Sequence, residues 1–171
     1  MEYLVRQAVL SDAGRLAEIN VTAWAAAYRH LMPASYLASL SVAEYAAKWS
    51  ERLSLAASSV LVAELGGELA GYVEFSPPTP PASCCELMAF YVHPRHWSQR
   101  VGRALWLVAR ADCLAAGASE VYLWVLAGNK RGIRFYEKAG FARDIAVSRT
   151  IDRGGQELEQ LRYSQCLTAT L

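Results

Sequence analysis

The sequence predicts a mixed α/β layer fold, a central mixed β-sheet flanked by helices on both faces, on three observations. Two β-rich runs, Ser59 to Leu65 and Glu68 to Phe75, flank Gly66-Gly67, a pair able to take the positive φ angles of a tight antiparallel hairpin. Two strand-helix units follow: Cys84 to Val92 leads into an amphipathic stretch from Gly102, and Val121 to Leu126 leads into a segment capped by Asn129. A second hairpin, Ala142 to Ile151 and Glu157 to Gln165 about Gly154-Gly155, closes the pattern. Hairpins joined to strand-helix units mix antiparallel with parallel neighbours and send helices to both faces.

In chain order, Tyr3 to Ala8 reads as the first strand. Ser11-Asp12 then start a helix read from Ala13, Leu16, Ala17, Asn20 and Trp24, taken as its apolar face, which recur at near-helical spacing to about Tyr28. Pro33 closes that segment, and Ser41-Val42-Ala43-Glu44 forms a capping box for a helix to about Leu53. Pro77, Pro78, Pro80 and Pro81 lack ladder donors, so they mark a loop between the second hairpin strand and Cys84 to Val92, itself ended by His93-Pro94. The clearest helix carries Ala104, Leu107, Val108, Ala111, Leu114 and Ala115 on one period and stops at Gly117. Val121 to Leu126 is nearly all apolar, as a strand covered on both faces should be, and the helix after Asn129 ends at Ala139-Gly140-Phe141.

The 171 residues suit one domain, assigned to 1–171, with no linker and no internal repeat. A hydrophobic share of 54% against 19% charged excludes a disordered chain. Seventeen basic residues against 16 acidic leave a net charge of +1, which gives no reason to expect nucleic-acid or anionic-membrane partners; any anion site is local. No run approaches the roughly 20 apolar residues of a membrane span, and the opening residues lack a basic-then-apolar export signal, so the expected location is cytoplasmic. Cys84, Cys85, Cys113 and Cys166 have no Cys-x-x-Cys spacing and are expected as reduced thiols. His93 and His96 have no third ligand at sensible spacing, so no metal is expected.

The chemically informative stretch runs from Phe90 to Leu105, a strand passing through a basic turn into the strongest helix. A helix start presents unpaired amides and about half a positive charge, and Gly102 and Ala104 allow close approach of an anion, with Arg95, Arg100 and Arg103 adding charge. Neither Gly-x-x-x-x-Gly-Lys-Ser/Thr nor a complete Gly-x-Gly-x-x-Gly is present, which removes support for nucleotide hydrolysis and dinucleotide binding. Gln99-Arg100-Val101-Gly102-Arg103-Ala104 resembles the Gln/Arg-x-x-Gly-x-Gly/Ala signature of the GNAT acetyltransferase superfamily, and Asn129 through Phe141 resembles that superfamily's Asn, helix, Phe-Tyr and Gly-Phe block. Weaker similarity covers Trp24, Tyr28-Arg29 and Tyr36-Leu37. Arg100 departs from the pattern, since many members carry glycine there.

The resemblance implies a mostly antiparallel GNAT-like sheet and an enzyme that moves the acetyl group of acetyl-coenzyme A directly to a primary amine of a small molecule or peptide. It implies that main-chain amides from Gln99 through Arg100, Val101, Gly102, Arg103 and Ala104 hold the pyrophosphate, that backbone groups of Phe90, Tyr91 and Val92 pair with the pantetheine arm, and that Asn129 touches it. An amide of Val92 or its neighbour would stabilise the oxyanion. Tyr136 is the implied general acid and cofactor contact, and Glu86 the leading general base, with Glu74 or an ordered water relay as substitutes. The acceptor is expected among the first helices, the proline-rich loop and the last hairpin, shaped by Trp24, Tyr28 and Trp49. Acetylation of a protein amino terminus and a non-catalytic acyl-coenzyme A sensor stay open as alternatives, and a homodimer through edge strands or helices is expected.

Overall fold

The computed structural model describes residues 3–78 and 83–167; Pro80 and Pro81 of the expected loop lie outside them. Seven strands, β1 (Leu4–Gln7), β2 (Ser59–Leu65), β3 (Glu68–Phe75), β4 (Cys84–Val92), β5 (Glu120–Leu126), β6 (Ala142–Arg153) and β7 (Gln156–Cys166), form one sheet in the order β1-β2-β3-β4-β5-β7-β6. Only β4 and β5 run parallel; the other neighbours are antiparallel. The helices are α1 (Ala13–Ala27), α2 (Ala34–Ala38), α3 (Val42–Leu55), α4 (Val101–Ala115) and α5 (Lys130–Lys138). The mixed, mostly antiparallel sheet with helices on both faces is therefore as expected.

Local chemistry explains most boundaries. Both glycines of each hairpin turn have positive φ, 59° and 84° at Gly66-Gly67 and 65° and 81° at Gly154-Gly155, the geometry a two-residue turn between twisted strands requires. Ser41 Oγ accepts the Glu44 amide at 3.3 Å to open α3, and Asn129 Oδ1 accepts the Gly132 amide at 3.0 Å to open α5. Asp12 behaves differently from a simple cap: its carboxylate accepts the Val9 amide at 2.8 Å and pairs with Arg6, so it fastens a short 3-10 turn to β1. Five-residue α2 has too little length to show a period and was not anticipated.

The sheet buries different residues on its two faces. Leu61, Val73, Leu87, Val121 and Leu123 meet Val101, Leu105, Ala109 and Cys113 of α4, with Ile133, Phe135 and Tyr136 of α5 packed alongside. On the opposite face, Val62, Leu69 and Tyr72 meet Leu16 and Ile19 of α1 and Trp49 of α3. The enclosed Tyr72 hydroxyl donates to Asn20 Oδ1 at 2.7 Å, which satisfies both of those oxygens. No helix among the described residues is long and apolar enough to cross a membrane.

Two irregularities near the middle of the sheet position everything that follows. Glu74 pairs with Ala89 and Phe75 with Leu87, so Met88 is an extra residue, a β-bulge in β4. The parallel ladder between β4 and β5 stops at Leu87 and Leu123, after which β4 pairs only with β3 and β5 only with β7. A V-shaped gap opens there. β3 lies hard against β4: a Cβ at Gly71 would come 2.8 Å from the Tyr91 carbonyl oxygen, a backbone atom that cannot swing aside. Gly71→Ala is accordingly expected to destabilise the protein by about 2 kcal/mol or more, read as a lower denaturant midpoint at unchanged slope.

Candidate active site

The gap has chemically defined walls. His93 N donates to Ala70 O at 2.8 Å, and in an antiparallel ladder this fixes the alternation upstream: main-chain groups of Tyr91 and Ala89 face β3, and those of Phe90 and Val92 face the gap. Tyr91 is thus committed to β3 through its backbone, contrary to the expectation that all three residues offer main-chain groups. The Val92 carbonyl accepts the Trp97 indole N–H at 2.8 Å, which leaves its amide as the group facing the opening.

At the wide end of the gap the chain turns into α4. His93 Nδ1 accepts the Arg95 amide at 3.2 Å, a 3-10 turn spans Pro94–His96, and Ser98 and Arg100 then take left-handed φ of 63° and 68°. Arg100 is the N-cap of α4. Its left-handed backbone is what glycine adopts freely and a side chain adopts at a cost of roughly 1–2 kcal/mol, which gives the physical meaning of glycine at this place in the resemblance. Such a turn exposes successive amides as an anion-binding concavity. Of the amides expected to form it, Ala104 N is taken by Arg100 O at 3.0 Å; Val101, Gly102 and Arg103 occupy the first turn, where helical geometry supplies no acceptor.

The cations around this turn differ from the sequence reading. Arg95 is paired with Glu68 at 3.0 Å, whereas Arg100 and Arg103 are exposed. Arg131 of α5 joins them, its guanidinium 4.2 Å from the Trp97 ring and its Nη2 3.3 Å from Ser98 Oγ, a contribution the sequence did not single out. Gln99 bonds Arg95 O at 2.9 Å through its side chain. Gly102 has a packing role as well: an added Cβ would sit 3.0 Å from the Phe135 ring, so α4 and α5 close on each other only without one.

Tyr136 stands on the same side, its ring against Phe90, Phe135 and Phe141. Burial, and secondarily the nearby Tyr91 phenol, push its ionisation well above the ordinary tyrosine range, so it is a protonated donor at neutral pH. Tyr28 is shifted the same way by burial and then by Tyr91, with a smaller push from Tyr136. These phenols therefore gather where the two faces meet at the gap.

Through the gap lies a cavity of ≈ 210 Å³ on the α1 face, walled by Trp24 and Tyr28 of α1 and its end, Met32, by Glu86, Leu87, Met88 and Tyr91 of β4, Trp124 of β5, and Arg149 and Arg153 of β6. The Met88 bulge explains why Glu86 and Tyr91 share it: without an extra residue, strand alternation would put them on opposite faces. Glu86 Oε2 accepts the Tyr122 hydroxyl at 3.0 Å, and Arg162 lies over the Tyr122 ring at 4.5 Å. The parallel register that sets Tyr122 beside Glu86 also raises the Tyr122 ionisation, through burial first and the Glu86 contact second.

Other candidates fall elsewhere. Glu74 is 2% exposed, with its oxygens held by Arg52 and Ser58 at 2.8 Å each, a structural carboxylate outside the cavity wall. Trp49 packs edge-on against Tyr72 in the core and does not reach the cavity. His93 is buried and held neutral by burial and by Arg15 and Arg95, and among the described residues no group of three or more His, Cys, Asp or Glu side chains could hold a metal.

Comparison with known proteins gives the family. The model of the acetyltransferase (GNAT) family matches residues 21–141. Over 136 residues the chain is 32% identical to an uncharacterized N-acetyltransferase, YuaI, of Bacillus subtilis (strain 168), covering 78% of this chain and 76% of that protein. The structure of PaiA N-acetyltransferase from Thermoplasma acidophilum in complex with coenzyme A matches with a TM-score of 0.73 at 22% identity, over 98% of this chain and 100% of that one. YncA, a putative acetyltransferase of Salmonella typhimurium solved with acetyl-coenzyme A, matches with a TM-score of 0.73 at 20% identity, over 100% of this chain and 97% of that one. At these identities the two structures speak for the fold, while the family model and the relative settle membership: the chain belongs to the acetyltransferase (GNAT) family and is an acetyl-coenzyme A-dependent acyltransferase.

Proposed function

We propose that this single domain acetylates a primary amine of a small molecule, by direct attack within a ternary complex. The observation that carries the proposal is the gap between β4 and β5, which lies between a concavity of free amides on the α4 face and a cavity on the α1 face. Two similar solved structures hold coenzyme A or acetyl-coenzyme A, and the residues here fit such a group. The amides of Val101, Gly102 and Arg103 would take the pyrophosphate, with Arg100, Arg103 and Arg131 adding charge, and the gap-facing groups of Phe90 and Val92 would take the pantetheine arm. Asn129 is spent on its cap, so any contact it makes comes from its remaining amide hydrogens. When bound, acetyl-coenzyme A supplies an activated acyl thioester.

The chain's own groups then divide the work. The Glu86 carboxylate removes a proton from the incoming ammonium, directly or through water, while Tyr122 keeps it oriented. The Val92 amide offers a donor where negative charge gathers, a contribution worth roughly 2.7–4 kcal/mol for one such donor. Tyr136 Oη gives a proton to the departing sulfur; the apolar surroundings that hold the phenol neutral disfavour a thiolate equally, which brings that transfer nearer to level. Among the cavity-lining residues there is no cysteine, which favours direct attack over an acyl-enzyme. The cavity is smaller than the about 300–1,000 Å³ of drug-sized sites, which favours a compact amine over a peptide. A screen of amines and short peptides with acetyl-coenzyme A, following free thiol, is expected to show turnover with small amines; thiol release with peptides alone would reject the acceptor class.

A further inference from the structure

The charges of the acceptor cavity are sorted by wall. Glu86 sits on β4, at the gap, whereas Arg149 and Arg153 enter from β6, two alternation steps apart on the same face with Ile151 between them. Five arginines make ion pairs among the described residues: Arg6, Arg15 and Arg162 with two carboxylates each, Arg52 and Arg95 with one. Arg149 and Arg153 line the cavity with no such pairing among the described residues.

Arg149 is also held in place. Its Nε donates to Gln160 Oε1 at 2.7 Å, its partner across the β6-β7 ladder, and its guanidinium lies 4.2 Å over the Trp124 ring. With Nε occupied, the two terminal nitrogens remain as an end-on fork, the geometry that grips a carboxylate or phosphonate with two parallel hydrogen bonds. Arg149 is exposed, yet its head is fixed at Nε and over the Trp124 ring, which lowers the entropy cost of gripping an anion. Arg153 donates Nη1 to the adjacent Asp152 carbonyl at 2.8 Å; burial raises the ionisation of the Tyr91 phenol on the opposite wall, and Arg153 offsets a small part of that rise. The wall itself is anchored, because the Gly154 backbone lies so close to Tyr36 of α2 that a Cβ there would be 2.6 Å from the Tyr36 Cβ.

We infer that the acceptor is a small zwitterion, an amine carrying a compact oxyanion within the same molecule, with its amine at Glu86 beside the gap and its anion on Arg149 and Arg153. This rests on the reading of the cavity as the acceptor site. Carboxylate and phosphonate share the chemistry and are separated by the test.

The test compares, with the full chain and acetyl-coenzyme A, a panel of L-amino acids, the corresponding primary amides, and aminoalkylphosphonates of similar size. Thiol release gives kcat/KM, and calorimetry of each compound with the protein alone gives affinity. For the best-used side chain, the acid or phosphonate is expected to exceed the neutral amide by about 10²-fold in kcat/KM. Arg149→Gln and Arg153→Gln should each shrink that ratio about tenfold or more, with Arg149→Lys in between, since a lysine keeps charge and loses the fork. Which oxyanion wins identifies the anion. Equal use of acid and amide by the unmodified protein, or a ratio unmoved in both glutamine variants, would overturn the inference while leaving acetyl transfer intact. Absence of thiol release with every amine, alongside amino-acid binding that the glutamine variants lose, would reject the transfer reading and uphold the anion site.

Discussion

Tyr136→Phe is expected to bind acetyl-coenzyme A with unchanged affinity and to turn over about 10²-fold more slowly or worse. The substitution deletes one oxygen and keeps the ring that packs against Phe90, Phe135 and Phe141. No hydrogen bond from that hydroxyl to another described residue is lost, so the fold has little reason to respond. Its pH behaviour follows from the direction of the shift. A folded-state value raised above the ordinary phenol near 10 keeps the donor protonated throughout the neutral range. The associated stability is complete below pH about 10 and erodes only as pH climbs toward the raised value. A drop in rate between pH 8 and 9 therefore has another source. Turnover equal to the unmodified protein would remove Tyr136 from the chemistry and leave it a packing residue.

Glu86→Gln is expected to lower kcat/KM by about 10²-fold near neutral pH. Glutamine preserves shape and can still accept the Tyr122 hydroxyl, so what disappears is the base. A lysine-like amine of pKa about 10.4 is free base in only roughly one molecule in 2,500 at pH 7, and the variant must wait for that fraction. Raising the pH supplies free amine without help, so the deficit should narrow steadily toward pH 10. A deficit independent of pH would instead make Glu86 a binding residue for the ammonium.

Both assignments draw on features of very unequal visibility in the sequence. The two Gly-Gly turns, the Ser41 and Asn129 caps and the long α4 are decided by neighbours within a few residues, and all were legible. The concavity before α4 was legible by resemblance, yet its details were not. That Arg100 takes a left-handed backbone, that Ala104 N is already bonded, and that Arg131 replaces Arg95 among the local cations each depend on how distant segments meet. The Met88 bulge is a property of the register between β3 and β4, fixed by packing across the sheet, and no local pattern announces it. Without that bulge, the reading of β4 gives no reason to join Glu86 to Tyr91. Glu74 and Glu86 are both strand carboxylates in the sequence; Arg52 and Ser58, 22 and 16 residues before Glu74, turn that one into a buried structural group. Arg149 and Arg153 were not singled out, because the strand read from the sequence ended at Ile151 and so left Arg153 outside it, whereas β6 runs to Arg153 and places the two on one face.

The account depends on coenzyme A being held by main chain, at the start of α4 and along the free side of β4. A backbone-amide NMR titration with coenzyme A reads this directly. The amides of Val101, Gly102, Arg103, Phe90 and Val92 should shift strongly and become protected from exchange, while those of Ala104 and Tyr91, already committed within the protein, should move little. Saturable binding that leaves the Val101, Gly102 and Arg103 amides unshifted would contradict it.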